Sequence, residues 1–566
     1  MKKYLLSLLS FMIPLITFAQ ETATEEVGID QKIDQAFAPI SDAASSVIFF
    51  EVFPGAPFVI LLLVLSAAFF TLYFGFPNIR HFWRAINTVR GKYEDIEKHG
   101  AKILYGKDGI AQGVDMNKVE DIDHHIGTLD DKLAIDGDIR DTIRDESSDG
   151  EVSHFQALAT AVSGTVGNGN IAGVALAIAL GGPGATFWMI ICGLLGMSTK
   201  FVECTLGVQY RDVGPDGTVY GGPMYYLTKG LKEKGFATLG KIAAVFFAIF
   251  CIGGSFGGGN AAQSNQATIV LKEMFGTEST MAGTLIGLVL AFFVGIIIIG
   301  GIKRIASVTE RVVPFMAVFY ILACLYIIFS NFGLLDDAIA LIVREAFNPT
   351  AIGVGSLIGV LLVGFKRAAF SNEAGAGSAS IAHSAVRTKY SASEGLVALL
   401  EPFIDTVVIC TMTALVIVIF NFGGFFEYGG DGTGTIFIDG MPFEGAGITS
   451  KAFAEYIPYS NLFLTIAVVL FAVSTMISWS YYGLQSWKFL FGRGKTADLV
   501  YKILFLSFIV IGAAASMNSI WAFSDAMIFA MVFPNMIGLY FLFPVVKKQL
   551  NRYLDAIKMK KEALEE

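Results

Sequence analysis

The chain has 566 residues, 54% hydrophobic and 16% charged. Soluble domains carry roughly a quarter charged residues, so the composition excludes an ordinary soluble protein and points to an all-α polytopic membrane protein. The formal charge of −9 comes largely from one acidic loop, and no basic patch of the kind that binds nucleic acid occurs.

Residues 1–20 start with Lys2 and Lys3, run apolar from Tyr4 to Phe18 and close on Ala19. That is the layout of a secretory signal peptide; the alternative is an uncleaved extra span. With the leader removed, residues 21–56, acidic over Glu21–Asp34, form a periplasmic segment outside the inner membrane of a bacterial cell. Apolar runs of about twenty residues, the length a bilayer needs, then fall at 57–76, 155–180, 184–207, 240–271, 280–300, 312–330, 352–386, 394–420, 461–491, 499–515 and 520–546. The first, within 57–79, is an extra span ahead of two halves at 153–330 and 352–546. Five spans in each half predict an inverted 5+5 repeat, since an odd number turns the second half upside down.

Alternate loops carry the positive charge: Arg80, Arg84, Arg90 and Lys92; Arg211 and Lys229; Lys303 and Arg304; Arg387 and Lys389; Arg493 and Lys495; Lys547 and Lys548. The positive-inside bias places these loops, and the tail 547–566, in the cytoplasm. The acidic insertion 80–152 is then cytoplasmic as well. Within it His124 and His125 stand beside Asp121 and Asp123, a possible divalent-ion site or a solvated loop. Residues 331–351 carry an amphipathic stretch, Leu334–Phe347, expected on the outer surface. The five cysteines are scattered without metal or disulfide spacing and read as small core residues.

Two spans are interrupted. Gly164–Asn170 reads GTVGNGN and Ser371–Ser378 reads SNEAGAGS, with Gly167 and Gly169 echoed by Gly375 and Gly377. Polar, glycine-rich breaks at matching places in two halves are the best sequence pointer to a transporter's binding site. Backbone outside a helix at bilayer depth survives only where protein or a water-lined cavity satisfies it. Freed amides then offer donors to an anion and freed carbonyls offer acceptors to a cation, while Thr165, Asn168 and Asn170 add neutral hydrogen-bonding groups. Close helix packing through small residues is the competing explanation. The second break adds Asn372 and Glu373 after Lys366 and Arg367, charges that mark a functional site at this depth. Glu373 either touches substrate, ion or proton, or forms a neutralising pair with Arg367.

Two polar clusters interrupt other spans. Asn260, Gln263 and Ser264 share a helical face by spacing, and so do Thr475 and Trp479, with Ser474 and Ser478 beside them. Hydroxyls and freed carbonyls suit a small hard cation. His383, the one histidine well placed in the later spans, lacks a second histidine or carboxylate at ligand spacing, which argues against an intramembrane enzyme. An ion channel would need a continuous polar pathway in place of paired breaks.

The runs SHFQALATAVSGTVGNGNIAGVALAIALGGPGATFWM, SNEAGAGSASIAH, GGGNAAQSNQA and STMISWSYYG resemble the alanine or glycine:cation symporter family over residues 153–546. The resemblance implies a LeuT-type fold, no cofactor, and uptake of alanine or glycine coupled to a sodium ion by alternating access. A proton-coupled symporter is the alternative. It also implies substrate contacts at Thr165, Gly167, Asn168, Gln263, Thr475 and Trp479, with sodium near Gly164, Ser474 and Thr475. Two positions depart from the family pattern: Asn168 stands where GTGN has threonine, and GAGSAS replaces GxGSAP.

Overall fold

The computed structural model describes residues 29–53, 55–94, 96, 150–214, 218–277, 279, 281–349, 357–429 and 432–565. The leader, the His124–His125 pair and most of the acidic insertion lie outside the described residues.

Helices dominate. In chain order they are α1 (Ile29–Ile48), α2 (Phe58–Tyr73), α3 (Phe82–Val89), α4 (His154–Thr165), α5 (Ala172–Gly181), α6 (Gly184–Gln209), α7 (Ala237–Phe256), α8 (Ala262–Phe275), α9 (Ala282–Ile298) and α10 (Gly301–Ser330). Then come α11 (Leu335–Phe347), α12 (Leu357–Asn372), α13 (Ala379–His383), α14 (Ser391–Ala398), α15 (Thr411–Asn421), α16 (Ala446–Tyr456), α17 (Ser460–Phe491), α18 (Lys495–Ala514) and α19 (Met517–Glu565). Three small antiparallel ribbons pair Glu51–Phe53 with Ala56–Pro57, Asp212–Val213 with Val219–Tyr220, and Ile436–Ile438 with Met441–Phe443. Among the described residues seven helices are long and apolar enough to cross a bilayer, eight if α4 and α5 count as one bent span. The shorter α2 and α9 are equally apolar. Helix occurs in every apolar run predicted from the sequence, but the run 352–386 is divided between α12 and the five-residue α13, neither of them among the helices long and apolar enough to cross.

The outward faces remain greasy, with Leu288, Phe292, Ile299, Phe315 and Leu322 all at least half exposed. Water would penalise that surface, whereas lipid tails do not. The interior packs through small residues: a Cβ on Gly364 of α12 would lie 2.5 Å from the Ala185 carbonyl oxygen of α6, so those backbones touch. Helix α11 buries Ala338, Ile342, Ala346 and Glu345, packs on α6, and leaves apolar Ile339, Val343 and Phe347 exposed, so its burial does not follow the apolar-in, polar-out division expected of an amphipathic surface helix.

Among the described residues three stretches wind as π-helix: Tyr226–Gly230, Gly257–Ala261 between α7 and α8, and Phe403–Cys410 leading into α15. Such turns insert an extra residue into the helical ladder and recur at functional sites. Both glycine-rich interruptions are real. Helix α4, opened by a Ser153–Gln156 capping box, stops at Thr165; a single 3₁₀ turn (Asn168–Asn170) follows, and α5 leaves at 57° to it. Helix α12 ends at Asn372 and the chain resumes helix only at Ala379. Between them Gly375 and Gly377 take φ of +98° and +86°, values glycine adopts at little cost.

Candidate functional site

The two breaks lie side by side: a Cβ on Gly169 would stand 3.6 Å from Ser371 Cα. Freed backbone needs partners, and side chains supply them. Asn170 turns back so that its Oδ1 accepts from the Gly167 amide at 2.9 Å, while its Nδ2 donates to Asp405 Oδ1 at 2.7 Å and to the Asp405 carbonyl at 3.0 Å. The other carboxylate oxygen of Asp405 accepts from Ser371 at 2.9 Å and from Thr406 at 2.7 Å. Asp405 therefore braces the first break against the second.

Gln263 closes the first break from α8. Its Oε1 accepts from the Asn168 amide at 3.0 Å, its carbonyl accepts from Asn168 Nδ2 at 3.2 Å, and its Nε2 donates to the Gly258 carbonyl at 2.9 Å. From α17, Thr475 donates to the Ser163 carbonyl at 3.0 Å, and Ser163 donates to the Ser474 carbonyl at 2.7 Å. Gly167 sits between these groups: a Cβ there would meet Thr475 Oγ1 at 2.5 Å and Gln263 Oε1 at 3.0 Å. At Gly164 a Cβ would meet the Tyr482 hydroxyl at 2.9 Å.

Trp479, one turn beyond Thr475, joins the second break to this group. Its Nε1 donates to Glu373 Oε1 at 3.0 Å, and the other oxygen of Glu373 accepts from Ser378. The indole lies on bare glycine, since a Cβ on Gly259 would overlap Trp479 Cγ. Glu373 has φ +54°, a left-handed conformation rare for a non-glycine residue and found where surrounding structure enforces it. Asn372 holds the same turn open by accepting from the Ala374 amide and donating to Thr406.

Gly167, Asn168, Gln263, Thr475 and Trp479 thus gather around the first break, with Asn372, Glu373, Gly375 and Gly377 shaping the second. Thr165 is adjacent, but its hydroxyl bonds back to its own helix at Ala161. Ser474 turns its hydroxyl away, to the Phe471 carbonyl and Met316 Sδ. Two expectations need correcting. Arg367 pairs with Asp525 of α19, joined by Lys366 at 2.9 Å, and not with Glu373. Asn260 donates to the Phe505 carbonyl and Ser264 to the Ala261 carbonyl, so of that cluster Gln263 alone reaches the break; the π turn at Gly257–Ala261 breaks the simple i, i+3 relation. His383, isolated by spacing, meets Glu394 and Glu401 in the fold.

Sequence reasoning missed Asp405, Ser163 and Tyr482. An aspartate inside an apolar run is a signal in its own right, yet no local spacing ties position 405 to either break. Among the described residues, buried Asn168 Oδ1, Ser478 Oγ and the Tyr482 hydroxyl have no hydrogen-bond partner. Each orphaned group costs about 1–3 kcal/mol, so the cluster suits a polar guest. Its oxygens and main-chain amides can receive a small zwitterion and a hard cation. Thr165, Asn168, Gln263, Thr475 and Trp479 are at most 4% exposed, so the group is closed off from the surface.

The sodium:alanine symporter family model matches residues 135–566. The sodium/alanine symporter AgcS of Methanococcus maripaludis is 42% identical over 412 residues, covering 72% of this chain and 86% of that protein. The probable sodium/glutamine symporter GlnT of Bacillus subtilis is 36% identical, covering 72% and 79%. Among solved structures, MhsT in complex with L-phenylalanine aligns over 71% of this chain and 99% of its own, at 14% identity and a TM-score of 0.46, too distant a likeness to bear on fold or substrate here. The family is one of transporters, not enzymes, and a match running from the insertion to the last residue leaves one assignment: the chain belongs to the sodium:alanine symporter family.

Proposed function

We propose that the protein carries alanine, and with it glycine, into the cell together with sodium, by alternating access around the two helix breaks. The observation that supports this best is the set of buried polar atoms without a hydrogen-bond partner beside the breaks, Asn168 Oδ1, Ser478 Oγ and the Tyr482 hydroxyl, which a small polar guest would satisfy. A carboxylate is favoured at the start of the helix that resumes after Asn170, where backbone amides and the helix dipole point at it. Trp479 walls the side-chain end and excludes larger residues by size. GlnT, named a probable sodium/glutamine symporter, carries a name with a larger amino acid than that of AgcS, so substrate size is a property the uptake assay should vary.

Thr165, Gly167, Asn168, Gln263, Thr475 and Trp479 are the proposed substrate contacts. Sodium is cargo as well, proposed to sit between the carbonyls near Gly164 and the hydroxyl of Thr475. Ser474 would join after releasing the Phe471 carbonyl. Each sodium moved inward gains about 2.3 kcal/mol per 100 mV of membrane potential, enough to concentrate a neutral zwitterion. The architecture we infer is the inverted 5+5 repeat of LeuT-type transporters, behind one extra N-terminal span, in a bacterial inner membrane with the C-terminus cytoplasmic. Residues 1–20 would be a cleaved leader and residues 80–152 a cytoplasmic insertion.

Uptake of labelled alanine into proteoliposomes, with sodium, lithium and proton gradients imposed in turn, tests the reading. Saturable uptake driven by sodium alone is expected. Uptake driven by the proton gradient alone would replace sodium with a proton, and current without saturable uptake would replace the carrier with a channel.

A further inference from the structure

Away from the breaks, the ends of both interrupted helices converge on one buried carboxylate. Glu394, in α14, presents one oxygen to Nδ1 of His154, the first residue of α4, and the other to Nδ1 of His383, the last residue of α13, at 2.5 Å. The line continues from His383 Nε2 to Glu401 Oε2 at 3.6 Å and from Glu401 Oε1 to Lys200 Nζ at 3.0 Å. Only the His154 side chain, 12% exposed, touches the surroundings.

Main chain reinforces the same junction. The Glu151 and Val152 amides donate to the Ala385 carbonyl at 2.8 and 3.2 Å, and the Arg387 amide returns a bond to the Val152 carbonyl at 2.9 Å. Gly150 lies so close that a Cβ there would overlap the Val386 carbonyl oxygen. The chain entering the first broken helix is thereby stitched to the chain leaving the second. Buried ion pairs give weak net stability compared with apolar residues of similar size, and specifying one of two arrangements is their best-attested use.

We propose that Glu394, clamped between His154 and His383, is the latch of the cytoplasmic gate: made, it seals the route from the helix breaks to the cell interior, and the His154 link parts to release substrate. The proposal rests on the alternating-access reading and on the cytoplasmic placement of the α4 N-terminus. Glu394 is a positioning residue, acting by holding two moving ends together and not by touching substrate.

The test places a reporter cysteine at Ala157, a buried position one turn beyond His154 in α4, in a background lacking the five native cysteines. Alkylation by an impermeant maleimide is timed from each side of the membrane, in vesicles of both orientations, without alanine or sodium. With the latch intact, labelling is expected to be slow from both sides. Glu394→Ala and His154→Ala are expected to speed labelling at least tenfold from the cytoplasmic side only, and His154→Gln, which keeps a donor, to restore part of the protection. His154→Ala keeps the test open should Glu394→Ala fail to fold, because His154 stands at the edge of the cluster. Unchanged labelling in folded His154→Ala, or acceleration from the outer side, overturns the proposal. The readout involves no transport, so unchanged labelling overturns the latch while absent uptake overturns the proposed function, and the two failures are distinguishable.

Discussion

Asp405 receives Asn170 on one carboxylate oxygen at 2.7 Å and Ser371 on the other at 2.9 Å, so a single side chain fixes the distance between the two interrupted helices. An amide cannot accept on both ends. Asp405→Asn is expected to orphan at least one buried donor, at about 1–3 kcal/mol, and to lower alanine uptake about tenfold or more. Uptake in proteoliposomes at matched protein content checks it; a wild-type rate would show that the brace is dispensable.

The glycines of the first break differ in what they must avoid. Gly167 has φ −136°, which any residue can adopt, so its constraint is contact: a methyl group added there would stand only 2.5 Å from Thr475 Oγ1. Gly169 would place a methyl at an ordinary 3.6 Å from Ser371 Cα. Gly167→Ala is expected to abolish uptake through overpacking of about 1–3 kcal/mol, whereas Gly169→Ala should transport at close to the normal rate. Equal losses in both would point to flexibility in place of fit.

Gln263 and Thr475 should separate binding from ion coupling. Gln263→Ala removes the acceptor of the Asn168 amide and is expected to weaken alanine binding about five- to tenfold, as loss of roughly 1 kcal/mol or slightly more implies. Thr475→Ala is expected to raise the sodium concentration for half-maximal uptake, and Thr475→Ser to leave it near normal because the hydroxyl remains. Calorimetric titration of alanine at several sodium concentrations distinguishes the two effects.

At the membrane edge, between the end of α2 and α3, burial together with Arg84, Arg80 and Lys547 lowers the His81 pKa from 6.5 to about 4. Arg84 Nη1 reaches His81 Nδ1 at 2.5 Å, a contact that needs the neutral ring. Below pH 6.5 the unfolded chain takes up a proton that the folded one refuses until about pH 4. His81 therefore costs stability progressively as pH falls through that window, and nothing above it. His81→Asn should flatten the fall of Tm with acidification; an unchanged slope in the variant would contradict the assignment.

Much of the site was legible because its signal is local. Glycine and asparagine inside an apolar run announce a break, and Gly164–Asn170 and Ser371–Ser378 are where α4 and α12 stop. What spacing could not reveal is which distant group a buried polar atom chooses. Arg367 has Glu373 six residues away in sequence and takes Asp525 of α19 instead; His383 finds Glu394 through the turn after α13. Asp405 stood in plain view as a charge at bilayer depth, and only three-dimensional proximity gives it a role. Helical wheels also mislead where the helix is not α, as Asn260 and Gln263 illustrate by pointing to different partners.

The π turn before α8 also governs how the protein tolerates insertion or deletion. Gly257–Ala261 holds one residue more than a regular turn accommodates. Excising Gly258 would let the segment relax into ordinary winding without turning the residues beyond it, because the wide turn is what absorbs the surplus residue. Gln263 would keep its facing toward Asn168 and lose only the Gly258 carbonyl to which its Nε2 donates. A one-codon deletion there should be tolerated far better than the same deletion in the regular winding of α7, which would swing Gln263 away from Asn168 by roughly 100°.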